Sequence, residues 1–378
     1  MSAVTTTGRT SALGDLCGGA LEFLSNALDE RRGIFSYSAR LVGDRFVNDF
    51  EHPLAVRYTI NTLLGLREAA RVDPRAPLAA EFPELLERFL DRQLPCVRSA
   101  ADLGLLLALL ADCGHERVAG DVLRQVEEIA RTRLSSLNVQ DVSWMLWGTT
   151  ALVRAGWSGA EETAHRLAAT LLDDFAGPPS ALPRHTLARF RGHVVSFGSV
   201  TYFLRALHEY GLTLADERAL ERADRALQCV LAAQGPNGEW PWMLSVADAR
   251  PLDVYPVFTV HQDSMAMLFL LPALDRGVRG TAKAARASFA WNVGENQLGR
   301  PLIVRRPFHI YRSLERHDRA PRARRYVRTL RAAHSADGAQ LVPSERLRIN
   351  REARSYHFGW ILFAWAGRAD EPSLETPL

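Results

Sequence analysis

Six times along this chain a short run, apolar nearly all round, ends in a glycine or a small polar turn. The runs are RYTINTLLGLREAAR (57–71), LGLLLALLADCG (103–114), WMLWGTTALVRAG (144–156), VTYFLRALHEYG (200–211), MAMLFLLPALDRG (265–277) and HFGWILFAWAG (357–367). A helix without a polar face has to be covered by protein on every side. The covering is present in Arg/Glu/Ala-rich segments between the runs, such as 83–94, 121–134 and 215–234, which carry apolar residues on one helical face only. Six helices that must be buried, alternating with six that can bury them, predict an all-α fold: an (α/α)6 toroid of six helical hairpins with parallel inner helices.

Parallel inner helices bring the residues just before each run to one mouth of the ring. Those residues are polar: Asn48, Asp49, Glu51 and His52, then Arg57 and Tyr58, at the first; Asp102 at the second; Gln140 and Asp141 at the third. Ser196 and Ser199 precede the fourth, His261, Gln262 and Asp263 the fifth, and Arg351, Glu352, Arg354 and Tyr356 the sixth. Spread along the sequence, they are expected to meet in one pocket.

One closed ring uses all 378 residues without a domain boundary. The expected organisation is a disordered polar start (1–12), a single toroid (13–367) opening on an amphipathic helix from Leu13 to Asp29, and a flexible tail (368–378). The stretch GIFSYSARLVGDRFVNDFEHP leads irregularly into the first inner helix. GRPLIVRRPFHIYRS is expected to pair as short strands, and the arginine-rich segment that follows to form a solvated outer helix. No run approaches the ~20 apolar residues of a membrane span, and no apolar stretch of signal-peptide length follows a basic segment, so a cytoplasmic location is expected.

The 46 basic residues are nearly matched by 43 acidic ones, which leaves no nucleic-acid footprint. Cys17, Cys96, Cys113 and Cys229 form no CxxC pair and read as small apolar residues. Cys113 with His115 is the one arrangement that suggests zinc, and nothing marks a third ligand; no metal is expected. A P-loop, a GxGxxG turn after a strand, HExxH and GxSxG are all missing, so no cofactor is expected, and the partner is a small-molecule substrate.

The stretch ALQCVLAAQGPNGEWPW (226–242) closely resembles the QW repeat of squalene-hopene cyclases and related terpenoid cyclases, with Gln234 and the turn at Gly238, Glu239 and Trp240 supplying its elements. In that family the repeat is structural, so the resemblance implies the toroid before any chemistry. The RYT-type first helix, the YPVFTVHQD turn (255–263) and the RSYHFGW ending (354–360) are similar to a layout of bacterial toroid proteins with no established activity, some of them near glycan-biosynthesis genes.

In YPVFTVHQDSMAM (255–267) a β-rich run gives way to a helix at His261, Gln262 and Asp263. Asp263 can act as an N-cap. The terpenoid cyclase resemblance implies instead that Asp263 is the general acid protonating an isoprenoid alkene, oriented by His261. The family's Asp-x-Asp-Asp motif is missing; the nearest string, with Asp173 and Asp174, falls on an outer segment. Substrate contacts are expected from Asp49, Glu51, Arg57, Tyr58, Asp141, Trp144, Trp240, Trp242, Phe258, Glu352, Arg354, Tyr356 and His357. Aromatic residues suit a carbocation or a sugar face equally.

An ion pair between Glu352 and Arg57 would close the ring, while Arg57 and Arg354 together would hold a carboxylate. Three functions follow: an atypical class II-like terpenoid cyclase; a carbohydrate-active toroid, whether epimerase, lyase or hydrolase, with Asp263, His261, His357 or Tyr356 as acid and base; or a non-catalytic binding scaffold whose polar mouth consists of caps and ion pairs.

Overall fold

The computed structural model describes residues 12–177, 180–188, 192–317, 327–329, 331–332, 339 and 341–368. The expected disordered start and flexible tail, and most of the arginine-rich segment, lie outside them. Among the described residues twelve α-helices carry the architecture. They are α1 (Ala12–Asn26), α2 (Ala55–Val72), α3 (Phe82–Gln93), α4 (Ala100–Leu110), α5 (Glu116–Thr132), α6 (Val139–Arg154), α7 (Glu161–Ala169), α8 (Phe197–Leu214), α9 (Glu217–Ala232), α10 (Met267–Asp275), α11 (Thr281–Asn292) and α12 (Ser355–Trp365). The even-numbered helices are the six apolar runs and form the inner ring. Each packs against the outer helix that follows it, and α12 takes α1 from the start of the chain, so that the ring closes where α12 meets α2. This is an (α/α)6 toroid.

Side-chain caps start several of these helices. Ser99 accepts the Asp102 N–H (3.1 Å) before α4, Ser196 accepts that of Ser199 (3.2 Å) before α8, and Asn138 forms a capping box with Asp141 on α6. Neighbouring inner helices touch backbone to backbone where they carry glycine. A Cβ on Gly65 of α2 would fall 2.0 Å from the Gly359 carbonyl oxygen of α12, and one on Gly148 of α6 would fall 2.2 Å from that of Gly104 on α4. Only hydrogen fits at these crossings.

Short strands decorate the ring. The segment read as irregular pairs instead: β1 (Leu28–Asp29) with β2 (Ile34–Phe35), and β3 (Ser38–Val42) with β4 (Arg45–Asp49). The second hairpin turns at Gly43, whose φ of 63° is left-handed. Ala39 bridges to Ala353, tying this hairpin to the entry of α12. Strands β5 (Val194–Ser196), β6 (Met243–Ser245) and β7 (Pro251–Asp253) form one sheet. As expected, β9 (Ile303–Arg305) pairs with β10 (Phe308–Ile310). A three-stranded sheet orders β12 (Leu347–Asn350), β11 (Ser313–Arg316) and β8 (Val257–Phe258). It covers a small second core of Val254, Tyr255, Val257, Trp291, Leu302, Leu314 and Leu347 beside the main core of the ring. Among the described residues no helix is long and apolar enough to cross a membrane.

Candidate functional site

The starts of the inner helices converge. Phe197 of α8 packs on His261 (4.8 Å), Trp144 of α6 on Tyr202 of α8 (4.6 Å), and Tyr58 of α2 on Tyr356 of α12 (4.3 Å). Between β8 and α10 the backbone makes a π-turn over His261–Met265, closed by the Ala266 N–H donating to the His261 carbonyl (3.3 Å). Such wide turns alter which side chains face the interior.

Asp263, fully buried in this turn, is the centre of a network. Its Oδ1 lies 2.6 Å from His357 Nε2 and its Oδ2 accepts from Asn292 Nδ2 at 2.7 Å. Its main-chain carbonyl accepts from Trp365 Nε1. The carboxylate therefore bonds side chains of α11 and α12 rather than capping a helix. It also pairs with His357, not with His261 as expected. Because a carboxylate only accepts, Nε2 of His357 is the donor in this bond, and Nδ1 is the nitrogen left to face a substrate.

His261 lies among Phe197, Trp242 and Phe258, with the Trp242 ring nearly parallel to it at 5.8 Å. Among the described residues its Nδ1 has no hydrogen-bond partner. Burial, aided by nearby His357, pushes its pKa down to about 3, so that the imidazole stays neutral and is a weak base.

Arg57 donates through Nε to Asp102 and through Nη2 to Ser99 Oγ (3.1 Å), and its guanidinium lies 5.3 Å from the Trp144 ring. The expected pair with Glu352 is not formed. Glu352 sits instead among Arg354 (2.6 Å), Arg312 (3.1 Å) and Arg40 (2.6 Å). Burial alone would raise its pKa, and these three cations bring it down to about 2. Ring closure orders the carboxylate with arginines at the entries of α12 and β11 and with Arg40 of β3, while Arg57 is already held by Asp102.

An aromatic layer covers this region. Tyr37 stacks on His52 (3.5 Å) and on Tyr58 (5.1 Å), while Arg354 lies 3.8 Å over the Tyr37 ring. Arg354 also donates to the Tyr37 carbonyl (3.3 Å), so it is engaged on both sides and does not join Arg57 in one carboxylate clamp. Burial raises the pKa of Tyr58, Tyr356 and Tyr202, which keeps all three as neutral hydroxyls.

Other expected contacts have structural employment. Asp141 accepts from Asn138 in the capping box, and burial raises its pKa. Asp49 accepts the Glu51 N–H (3.1 Å), and Glu51 is exposed and paired with Arg32. Trp240 is buried in the core, where its Nε1 donates to Ser288 Oγ (2.7 Å). Gln234 donates to the carbonyls of Gly238 and Ala284, both at 3.0 Å, tying the end of α9 to its own turn and to α11. Asp173 and Asp174 are exposed, as expected. Sequence reasoning passed over Tyr37, Asn292, Arg40 and Arg312; Tyr37 was hidden in the unrecognised hairpin. Among the described residues no group of three His, Cys, Asp or Glu side chains is arranged to hold a metal.

No protein-family model matches this sequence, and no curated protein sequence does. Similar solved structures exist. The cellobiose 2-epimerase from Bacillus thermoamylovorans superposes with a TM-score of 0.64 at 11% identity, over 94% of this chain and 99% of that one. A D-mannose isomerase gives 0.61 at 11% identity over 96% and 99%. An unsaturated glucuronyl hydrolase from a Bacillus species gives 0.52 at 13% identity over 96% and 97%.

These likenesses correct the terpenoid cyclase expectation: the similar toroids are named for action on sugars, and the resemblance to the QW repeat is a local one. The structure supplies a physical reason, since both oxygens of Asp263 are engaged by N–H donors and none is left to present a proton to an alkene. At this level of identity the comparisons establish one thing, that the chain has the (α/α)6 toroid fold shared by these enzymes.

Proposed function

We propose that this protein acts on a sugar and moves a proton between carbon and a histidine, as an isomerase or epimerase of a reducing sugar. The observation carrying this reading is the pair of imidazoles at one end of the ring. His261 is neutral, its Nδ1 has no partner among the described residues, and His357 is held through Nε2 by Asp263. A hydrogen on the carbon beside a carbonyl is acidic enough for a well-placed base, and the base that takes it can give it back to either carbon of the planar intermediate.

In this reading Nδ1 of His357 removes the proton and, from the imidazolium so formed, returns it; Asp263 positions His357, and neutral His261 hydrogen-bonds the sugar carbonyl. Arg57, anchored through Nε and Nη2, turns Nη1 toward the oxygen on which negative charge develops. Tyr58, Tyr356 and Trp242 supply flat apolar faces for the sugar ring. Asp263 and Glu352 are both fully paired, so neither is free to serve in the carboxylate pair that glycoside hydrolysis ordinarily uses.

The test is incubation of the protein with a panel of reducing hexoses and disaccharides in D2O, reading loss of the C2 proton signal and appearance of new sugars by NMR. Exchange that falls 10²–10⁴-fold in H261A and H357A, with the fold retained, is the expected result. Cleavage of glycosidic bonds without C2 exchange, or no reaction on any sugar, would sink the reading.

A further inference from the structure

The opposite pole of the ring, where the inner helices end, holds a cavity of about 240 Å³. Arg57 and Arg67 are ten residues apart on α2, so this cavity lies about 15 Å along the helix from the mouth. Five arginines reach its wall: Arg67 and Arg71 from α2, Arg154 from α6, Arg205 from α8 and Arg368 beyond α12. They face one carboxylate in that wall, Glu68. The other acids that pair with them, Asp112, Glu209 and Asp275, are not among the residues lining it. Each guanidinium is thus held by an acid while it reaches the cavity, which orients it before any ligand arrives.

Capping of helix carbonyls accounts for part of this cluster. Arg67 Nη1 donates to the carbonyls of Ala108 (2.8 Å) and Leu109 (2.9 Å) at the end of α4, and Arg205 Nη1 donates to that of Leu268 (3.3 Å), which Pro272, lacking an N–H, leaves free inside α10. Arg71 and Arg154 bond only side chains, so capping does not explain them. Arg205 lies over Trp147 (5.6 Å) and Phe363 (5.5 Å), and its buried Nε has no partner among the described residues. The remaining wall is apolar, including Leu268, Leu271 and Pro272.

We propose that this cavity is a binding site for a phosphate dianion, free or as the head of a small monoester whose organic part rests on the apolar wall. Five forked guanidinium groups offer more N–H donors than the two oxygens of a carboxylate can accept and suit the several oxygens of a phosphate. The volume, below the ~300 Å³ at which pockets for drug-sized ligands begin, keeps the occupant small.

Calorimetric titration of the full chain with inorganic phosphate, glycerol phosphate and glycerol tests this. Saturable one-to-one binding of both phosphates, none of glycerol, and at least tenfold weaker binding in the double variant R71Q/R154Q are expected. Tighter binding of glycerol phosphate than of inorganic phosphate identifies the ester as the natural class; equal binding identifies the free ion. Arg71 and Arg154 are about half exposed, 45% and 55%, so the variant is expected to keep its melting curve. Should it not fold, selenate soaked into crystals of the unaltered chain is expected to give an anomalous peak beside Arg205 and Arg71. Absence of saturable binding, unchanged binding in the variant, or no such peak means that the arginines serve only to cap helices and pair acids.

Discussion

Replacing Asp263 by asparagine changes one buried atom and tests the centre of the site. Both carboxylate oxygens accept, from His357 Nε2 at 2.6 Å and from Asn292 Nδ2 at 2.7 Å. An asparagine has one acceptor and one donor group, so its NH2 must face either an Asn292 NH2 or the His357 Nε2–H. The first arrangement leaves a buried donor unsatisfied, at about 1–3 kcal/mol. The second forces His357 into the other tautomer, with the proton on Nδ1, and removes a charge-assisted bond of about 1.5–3 kcal/mol. Either way D263N is expected to be destabilised by roughly 2–4 kcal/mol, read as a lower denaturant midpoint with an unchanged slope.

Catalysis separates the two arrangements. If His357 acts through Nδ1, protonation there abolishes its basicity, and the C2 exchange rate is expected to fall by 10²–10⁴-fold. Nitrogen NMR of the ring reports the tautomer directly and would not be moved by a merely structural role for Asp263. A D263N protein with unaltered midpoint, rate and tautomer would refute the whole network around Asp263.

Further expectations rest on other contacts. G359A should be destabilised by at least about 1–3 kcal/mol, because its Cβ would lie 2.6 Å from Thr62 Cα and the seam between α2 and α12 would have to open; an unchanged melting temperature would contradict that crossing. Glu352 titrates near 2 in the folded chain against an ordinary value of 4.5, so its stabilisation is full above 4.5 and is lost as pH falls toward 2. The stability gap between the unaltered chain and E352Q, measured by urea melts, should therefore shrink over that window. His261 runs the other way from a histidine that gains an acidic partner: held near 3 against 6.5, it binds fewer protons folded than unfolded in between. Stability then falls as pH drops from 6.5 toward 3, and H261Q should flatten that slope; an equally steep slope in the variant would place the cause elsewhere.

The amphipathic and apolar periods of this chain are local properties, and they were sufficient to count the ring. A run such as 357–367 has no polar face to offer water, so it must be an inner helix whatever surrounds it, and Ser99, Asn138 and Ser196 mark helix starts because their side chains bond N–H groups two or three residues away. The polar residues gathered at one mouth were legible for the same reason, since parallel inner helices carry their starts to one end. The β3–β4 hairpin escaped notice because its exposed, charged strands lack a strong apolar alternation.

Partnership was decided elsewhere. Asp263 and His357 are 94 residues apart, and Arg57 and Asp102 are 45 apart. Which side chains meet across such distances depends on how far each helix is rotated about its own axis when the ring closes. That rotation is set by backbone contacts such as Gly65 against Gly359 and by the π-turn at His261–Met265. Hydrophobic period determines that a helix is buried; only closure of the ring determines which of its polar residues face one another, because an ion pair or a buried hydrogen bond is made by geometry at the scale of an ångström and leaves no periodic trace in the sequence.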